Sequence, residues 1–328
     1  MLAIRADYVL RIAVFSSMNG KVPRSQVEIG LAPLDQAGRA LRLVFRRFAA
    51  DDRAEQVHMF LAGIESGKIP LEGLLEARRG GRLVGAVFSQ FMPGRTAMLW
   101  PPRLIDGEPD STARALLDAT NEYLLSGRIC MAEVLVETLT HDDDTILRYG
   151  EFEPLAELLF MVCTQNNFPK TCPAGPLEFE PYGAAGYDCL ARLVERTYQQ
   201  TQDCPRLNKV RKIDDVLAGY RATGVYDPMR WLIARHEGRD VGCLLLADHP
   251  QHENWELVYM GLVVSARGHA WGRNIARHAQ FLAGRAGRMR LVLAVDAGNA
   301  PAIAMYSAVG FRVWDRRSVY VKFFESSS

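Results

Sequence analysis

The sequence predicts an α+β fold of two similar domains, each a mixed, mostly antiparallel sheet flanked by helices. Its 328 residues suffice for two domains of ordinary size, because one domain usually takes about 100–200 residues. Segments with strand and helix patterns alternate along the chain, and the same order of segments occurs twice. These observations together favour a duplicated α+β domain.

Two local similarities, far apart in the chain, carry the evidence for the duplication. Residues 77–88 resemble residues 234–245, where Gly85 and Gly242 are separated by 157 positions. Phe152 and Phe311 each follow a short predicted helix and precede a final strand, at a separation of 159. Near-equal separations indicate a repeated domain rather than a chance match.

The patterns place the elements of each copy in the same order. In the first copy they predict a strand over 27–32, helices over 34–49 and 53–66, and strands over 73–79 and 82–91 that meet at a Gly80-Gly81 hairpin. In the second copy they predict ten elements: strands 177–181, 230–236, 240–247, 255–264, 289–295 and 311–323, and helices 187–202, 213–222, 272–286 and 300–308.

The composition of the segments sets the expected domain boundaries. We expect a poorly ordered extension over 1–24, because its apolar patch is interrupted by Arg11 and does not form a convincing secretory signal. The first domain is expected over 25–165 and the second over 177–328. A linker rich in Pro, Gly and Asn is expected over 166–176.

Bulk composition argues against several function classes. With 23% charged residues and a net charge of +1, the chain has no strong positive electrostatic potential that would attract nucleic acid. Its residues are 48% hydrophobic, but no run of 18 apolar residues is present that could span a membrane. Six cysteines lack paired metal-ligand spacing, so reduced thiols in the cytoplasm, with neither a metal site nor a disulfide framework, are the expectation. The partner should be small or locally recognised.

The loop at 267–273 is the strongest candidate binding element. It joins the predicted strand that begins at Trp255 to a helix, and Gly268 and Gly272 allow close approach of a ligand to the backbone. A helix start directs backbone N–H groups and the positive end of the helix dipole at an anion, and Arg267 and Arg273 add charge. The loop does not end in Lys-Ser/Thr, and no first βαβ unit with a following acidic residue is apparent, so neither a P-loop nor a dinucleotide fold is favoured.

Two blocks in the second copy resemble the GNAT superfamily of acetyl-CoA-dependent N-acyltransferases. The family's loop pattern is Arg or Gln, two residues, Gly, one residue, then Gly or Ala, and Arg267, Ala270 and Gly272 stand in those places. Ala270 replaces the first glycine. The family's second block is matched by Asn299, Tyr306, Gly310 and Phe311.

The resemblance implies a set of site residues in the second copy. The acyl donor's pantetheine arm would bond to the backbone of Met260, Leu262 and Val264, and Tyr306 would protonate the departing sulfur. Glu256 is a candidate base, although an exposed strand carboxylate without a catalytic role is an open alternative. The remaining residues implied to bind acetyl-CoA are Arg267, Gly268, His269, Ala270, Trp271, Gly272, Arg273 and Asn299.

The first copy lacks the ligand-binding residues at the positions that the repeat assigns to them. With an offset of 159, Glu108, Pro109 and Asp110 replace Arg267, Gly268 and His269, and Leu147 replaces Tyr306. A carboxylate would repel a pyrophosphate, and a proline removes a backbone donor. We therefore expect a degenerate first copy and a catalytic second copy.

The expected function is transfer of an acetyl group from acetyl-CoA to a primary amine of a small molecule or peptide by direct attack. The segment 197–215 is expected to wall the acceptor site. The alternatives are a non-catalytic acyl-CoA-binding protein and an interaction scaffold. The protein is expected to be a monomer or a homodimer.

Overall fold

The computed structural model describes residues 26–324; the extension predicted over 1–24 lies outside the described residues. All described strands belong to one sheet: β1 Val27–Leu31, β2 Leu74–Arg79, β3 Arg82–Met92, β4 Thr96–Leu104, β5 Met131–Val136, β6 Glu153–Thr164, β7 Glu178–Pro181, β8 Trp231–His236, β9 Arg239–His249, β10 Asn254–Leu262, β11 Arg290–Asp296 and β12 Arg312–Phe323. The helices of the same residues are α1 Ala37–Val44, α2 Ala50–Glu65, α3 Asp110–Ser126, α4 His141–Tyr149, α5 Tyr187–Thr197, α6 Ile213–Arg221, α7 Trp271–Arg285 and α8 Ala300–Ala308.

The predicted fold class is confirmed by the sheet and by its helical layers. In the first half, α1 and α2 pack on one face of the sheet with Leu74, and α3 and α4 pack on the other face with Leu75. Successive residues of a strand point to opposite faces, so these two neighbours supply separate hydrophobic cores. Only the pairs β4–β5 and β10–β11 are parallel, and every other neighbouring pair in the sheet is antiparallel.

The two halves exchange their last strands, which the sequence analysis did not anticipate. The strand order is β1-β2-β3-β4-β5-β12-β6-β11-β10-β9-β8-β7. β12, the last strand of the second copy, pairs with β5 of the first, whereas β6 pairs with β11 of the second copy. β6 and β12 also pair with each other. A spatial half of the protein is therefore not a continuous segment of the chain.

Several predicted boundaries shift in the structure. The helix predicted over 34–49 is a 3-10 turn followed by α1, and the helix predicted over 187–202 ends at Thr197. The chain after α5 cannot continue the helix, because Gln200 and Cys204 have positive φ angles of 53° and 42° and Pro205 follows. The strand predicted over 255–264 ends at Leu262, so Val264 lies in a 3-10 turn.

The structural repeat also corrects the residue pairing between the two loops. β5 and β11 begin 159 positions apart, but α3 begins at Asp110 and α7 at Trp271, which are 161 positions apart. The second copy thus has a longer strand-to-helix loop. Pro109 and Ala270, each preceding the first helical residue, are the structural equivalents, and the pairing of Glu108 with Arg267 is wrong by two positions.

No helix between residues 26 and 324 is both long enough and apolar enough to cross a membrane.

Candidate active site

A cleft opens where β10 and β11 separate. These parallel strands pair over Asn254–Glu256 and Arg290–Val292 only, and the pairing of β10 with β9 shifts register between Leu257 and Tyr259. The bulge turns β10 away from β11, because an extra residue bends a strand and increases its twist. The edge of β10 that carries Met260 and Leu262 therefore faces the cleft without a strand partner on that side.

The loop at the end of the cleft presents unpaired backbone donors. Between residues 26 and 324, the N–H groups of residues 268–272 donate to no carbonyl and to no side chain. Gly268 has a φ of +83°, and Ala270 adopts the left-handed region with a φ of 59° and a ψ of 12°. The turn expected of a glycine is thus formed with alanine. A helix start with free N–H groups is a site for an anion.

The charge of Arg267 is directed away from this anion site. Its guanidinium group donates to the carbonyl oxygens of Leu262 at 3.2 Å, Thr197 at 2.9 Å, Gln199 at 2.8 Å and Gln200 at 3.0 Å. The side chain therefore joins the loop to the end of α5. Arg273 is exposed and forms no ion pair with a described residue, so its charge remains available at the helix start.

His269 and Trp271 form an aromatic ledge beside the loop. The Nδ1 atom of His269 donates to the carbonyl of Arg267 at 3.0 Å, and its ring stacks on Trp271 with centroids 4.9 Å apart. Trp271 also contacts His236 at 4.5 Å between centroids. Gly272 lies in the first turn of α7, where an added Cβ would meet only the Met305 side chain at 3.8 Å. The backbone here is open to a ligand.

Tyr306 on α8 is a buried residue whose hydroxyl group has no hydrogen-bond partner among the described residues. The residue is 6% exposed, its ring packs edge-on against Phe311 at 5.5 Å, and its hydroxyl forms no hydrogen bond within the described part of the chain. Burial raises the pKa of Tyr306 well above its ordinary value, and the charge of Asp203 raises it further. The phenol is therefore protonated at neutral pH and can donate a proton.

Two carboxylates, Asp203 and Asp296, join the loop after α5 to the end of β11, and the charge of Asp203 acts on Tyr306. An oxygen of Asp203 accepts from the N–H of Asp296 at 2.9 Å, and Asp296 accepts from Cys204 at 3.0 Å and from Gly298 at 2.8 Å. Asp203 keeps access to solvent, yet burial among surrounding atoms raises its pKa. Such a carboxyl group at the base of a cleft can bind a cation or accept a proton.

A layer of tyrosines covers the adjacent part of β10. Tyr259 stacks on Tyr220 with centroids 5.4 Å apart and shares a hydrogen bond with Thr197 at 2.7 Å. Tyr198 and Tyr220 share a hydrogen bond of 2.8 Å. Burial raises the pKa of all three tyrosines. These tyrosines form a polar aromatic cluster, of which only Tyr198 belongs to the segment 197–215 that was expected to wall the acceptor site.

Glu256 contacts His249, the last residue of β9. The Nε2 atom of His249 lies 2.9 Å from an oxygen of Glu256, and this contact raises the pKa of the imidazole. Glu256 lies at the paired end of β10, just before the cleft opens. The pair could relay a proton, which is a role that sequence patterns gave no reason to assign to His249.

Asn299 caps the N-terminus of α8. Its side chain accepts from the N–H of Ala302 at 3.3 Å and precedes the Pro301 of the first turn. Sequence reasoning did not identify Asp296 as a site residue. Its position as the last residue of β11, three residues before Asn299, could have indicated that it lies near the site.

The first copy carries a carboxylate at the equivalent helix start. Glu108 accepts from Arg79 at 2.7 Å and from Thr112 in the first turn of α3 at 2.6 Å, and its side chain is 7% exposed. The contact with Arg79 lowers the pKa of Glu108. An internal anion thus lies at the first turn of the helix whose counterpart, α7, begins with unpaired donors. Leu147, at the place of Tyr306, is fully buried in the core.

Comparison with known proteins identifies the family of the second copy. Residues 194–311, which contain the cleft, the loop and Tyr306, match the model of the acetyltransferase (GNAT) family. The protein therefore carries a GNAT-family domain. The predicted family is confirmed for this segment.

Similar proteins extend the comparison to the rest of the chain. A mycothiol acetyltransferase from Streptomyces bingchenggensis is 33% identical over 96 residues, which are 29% of this chain and 31% of that protein. A GCN5-related N-acetyltransferase from Sphaerobacter thermophilus has a TM-score of 0.61 at 15% identity, over 90% of this chain and 95% of the other. A tandem GNAT protein from the clavulanic acid biosynthesis pathway has a TM-score of 0.52 at 16% identity, over 92% of this chain and all (100%) of the other. The likeness to these two structures, one of them a tandem GNAT protein, agrees with the two-domain α+β fold, and the family supports acyl transfer in general.

Proposed function

We propose that the GNAT domain transfers an acetyl group from acetyl-CoA to a primary amine of a small molecule or peptide. The observation that carries the proposal is the run of unpaired N–H groups at 268–272, placed at the end of the cleft between β10 and β11. These donors suit the pyrophosphate of acetyl-CoA, with Arg273 beside them. Acetyl-CoA would supply an activated acyl thioester.

The chemistry requires one group that takes a proton and one that gives a proton. A protonated amine cannot attack a thioester, so its proton must pass to a base before the nitrogen can attack directly. Glu256, bonded to His249, is our candidate for that base. When the carbon–sulfur bond breaks, the leaving thiolate takes a proton from the Tyr306 hydroxyl.

The charge around Tyr306 favours an amine acceptor over an anionic one. Asp203 acts on the hydroxyl of Tyr306, and Asp296 lies against Asp203 at the end of β11. A cationic amine would offset these charges, whereas a phosphate or carboxylate would be repelled. This arrangement supports an amine that enters as an ammonium group.

An amine-library screen for acetyl-CoA turnover tests the proposal directly. We expect release of CoA that depends on an amine and on intact Tyr306. Tight CoA binding without turnover of any amine would instead favour the non-catalytic acyl-CoA binder, and the absence of any thermal shift with CoA would favour an interaction scaffold.

A further inference from the structure

The first copy contains a second cavity that the proposed reaction does not use. It has a volume of about 250 Å³ and lies between β4 and β5, which pair over Thr96–Met98 and Met131–Glu133 only and then separate. Phe48, Trp100 and Leu135 contribute apolar walls. This position is the counterpart, in the repeat, of the cleft between β10 and β11.

The charge of this cavity is opposite to that of the candidate active site. Arg47 and Arg103 line it, and Arg317 of the exchanged strand β12 also lines it but is paired with Asp315 at 2.8 Å. In the second copy the corresponding cleft carries Asp203 and Asp296. The duplicated clefts therefore favour ligands of opposite charge.

Arg103 presents an unused pair of donors to the cavity. Its Nη1 atom donates to Asp143 at 2.5 Å and to the Pro102 carbonyl at 3.5 Å, but its Nε and Nη2 atoms have no hydrogen-bond partner in residues 26–324. The side chain is only 13% exposed. The Nε–Nη2 edge of a guanidinium group matches the two oxygens of a carboxylate, so this edge is a preformed bidentate site.

The guanidinium groups of Arg47 and Arg103 lie on either side of one carboxylate. Arg47 and Arg103 share the single carboxylate of Asp143. Burial lowers the pKa of Arg103, and the charges of Arg47 and Arg46 lower it further against the effect of Asp143. Glu137 also lines the cavity but is exposed at its rim. An anion on Arg103 would relieve the repulsion between the arginines.

We propose that this cavity binds a small organic carboxylate, held by the Nε–Nη2 edge of Arg103, with its apolar body against Phe48 and Trp100. A liquid water occupies about 30 Å³, so the volume suits a ligand on the order of ten non-hydrogen atoms. The site is independent of acetyl transfer, because it lies in the first copy and uses none of the residues of the second cleft.

Titration of the full chain with benzoate and hexanoate tests the proposal, with benzamide and hexanamide as neutral analogues of the same shape. We expect at least one carboxylate to bind with a dissociation constant below about 10 mM, and its amide to bind at least about tenfold more weakly. Arg103→Lys keeps a cation beside Asp143 but lacks the planar edge, so it should weaken carboxylate binding about tenfold. The matched control is Arg148→Lys on the exposed side of α4, which should leave binding unchanged.

A second variant tests the cavity without altering Arg103, in case substitutions of that residue misfold. Met98→Trp should fill the cavity and abolish binding while the pair between Arg103 and Asp143 remains. Gly272→Asp should not affect the carboxylate, which separates this site from the active site. Equal binding of carboxylates and amides, an unchanged affinity in Arg103→Lys, binding of inorganic phosphate alone, or no binding at all would each overturn the proposal.

Discussion

Asp203 accepts a hydrogen bond from the backbone N–H of Asp296 at 2.9 Å, although the two residues are 93 positions apart. Asp296 in turn accepts from Cys204, which follows Asp203. This reciprocal contact fixes the loop after α5 to the end of β11. It brings two carboxylates together at the end of β11, and the charge of one of them, Asp203, raises the pKa of Tyr306.

Asp203→Asn should separate stability from function. The pKa of Asp203 is raised in the folded protein, so ionisation of this carboxyl opposes folding. Above the pKa of the unfolded chain the variant should therefore be at least as stable as the parent, and any gain should vanish as the pH falls below it. The affinity for the acceptor amine should drop, because the charge is lost.

Asp240→Asn is the control, at a carboxyl whose pKa is lowered by Arg235 against the effect of burial. This variant should instead lose stability at any pH above the pKa that Asp240 has in the unfolded chain. Thermal unfolding across pH and the KM for the amine check both; a large loss of stability in Asp203→Asn at neutral pH would contradict the argument.

Gly272→Asp should abolish most CoA binding while the fold survives. The substitution places a carboxylate beside the unpaired N–H groups, where it would repel a pyrophosphate. Gly272→Ala is the matched control, because its Cβ would meet Met305 at an ordinary 3.8 Å. Calorimetry should show near-parental affinity for the alanine variant. An aspartate variant that binds CoA as tightly as the parent would rule out this loop as the pyrophosphate site.

The protein should bind one CoA per chain. Glu108 lies at the first turn of α3 in the first copy, held by Arg79 and Thr112, and would exclude a second pyrophosphate. The stoichiometry measured by calorimetry on the full chain checks this expectation. Two molecules of CoA per chain would show that the first copy still binds the donor.

Tyr306→Phe should lower kcat by about 10²–10⁴-fold, which corresponds to roughly 3–5 kcal/mol of barrier. The ring keeps its packing against Phe311, so acetyl-CoA affinity should change little. Because the hydroxyl has no hydrogen-bond partner among residues 26–324, its removal should not destabilise the fold. Turnover of the Phe variant at the parental rate would mean that another group, or solvent, protonates the thiolate.

Arg267→Lys should lower the free energy of unfolding by about 2 kcal/mol, since hydrogen bonds from a charged group each contribute about 1.5–3 kcal/mol and several are lost. Its guanidinium group reaches carbonyls of Thr197, Gln199 and Gln200 that a lysine cannot contact together. Arg273→Lys, at an exposed position of the same loop, should not change stability. Denaturant unfolding of the two variants compares them, and an equal effect of both would show that the carbonyl contacts of Arg267 contribute little.

The sequence by itself determined the elements of the second copy and the first five of the first copy, together with their order. Apolar spacing defined most helices and strands to within a few residues, because burial on one face imposes a period of 3.6 on a helix and 2 on a strand. The alternation that divides Leu74 and Leu75 between two cores is a local property of this kind. The duplication, the loop at 267–273 and Tyr306 could also be found without a structure.

Only the tertiary structure decided which distant segments meet. β6 and β12 are the final strands of their copies, and each has the residue pattern of a strand. The local pattern therefore could not tell which half of the sheet each strand would join. The direction of the Arg267 side chain depends on backbone carbonyl groups at the C-terminal end of α5, about 70 residues earlier in the chain. The contact between Asp203 and Asp296, and the unused edge of Arg103 in its cavity, likewise arise from packing between elements that are remote in sequence. Periodicity records how each segment is buried, whereas the partners of a side chain are set by long-range packing.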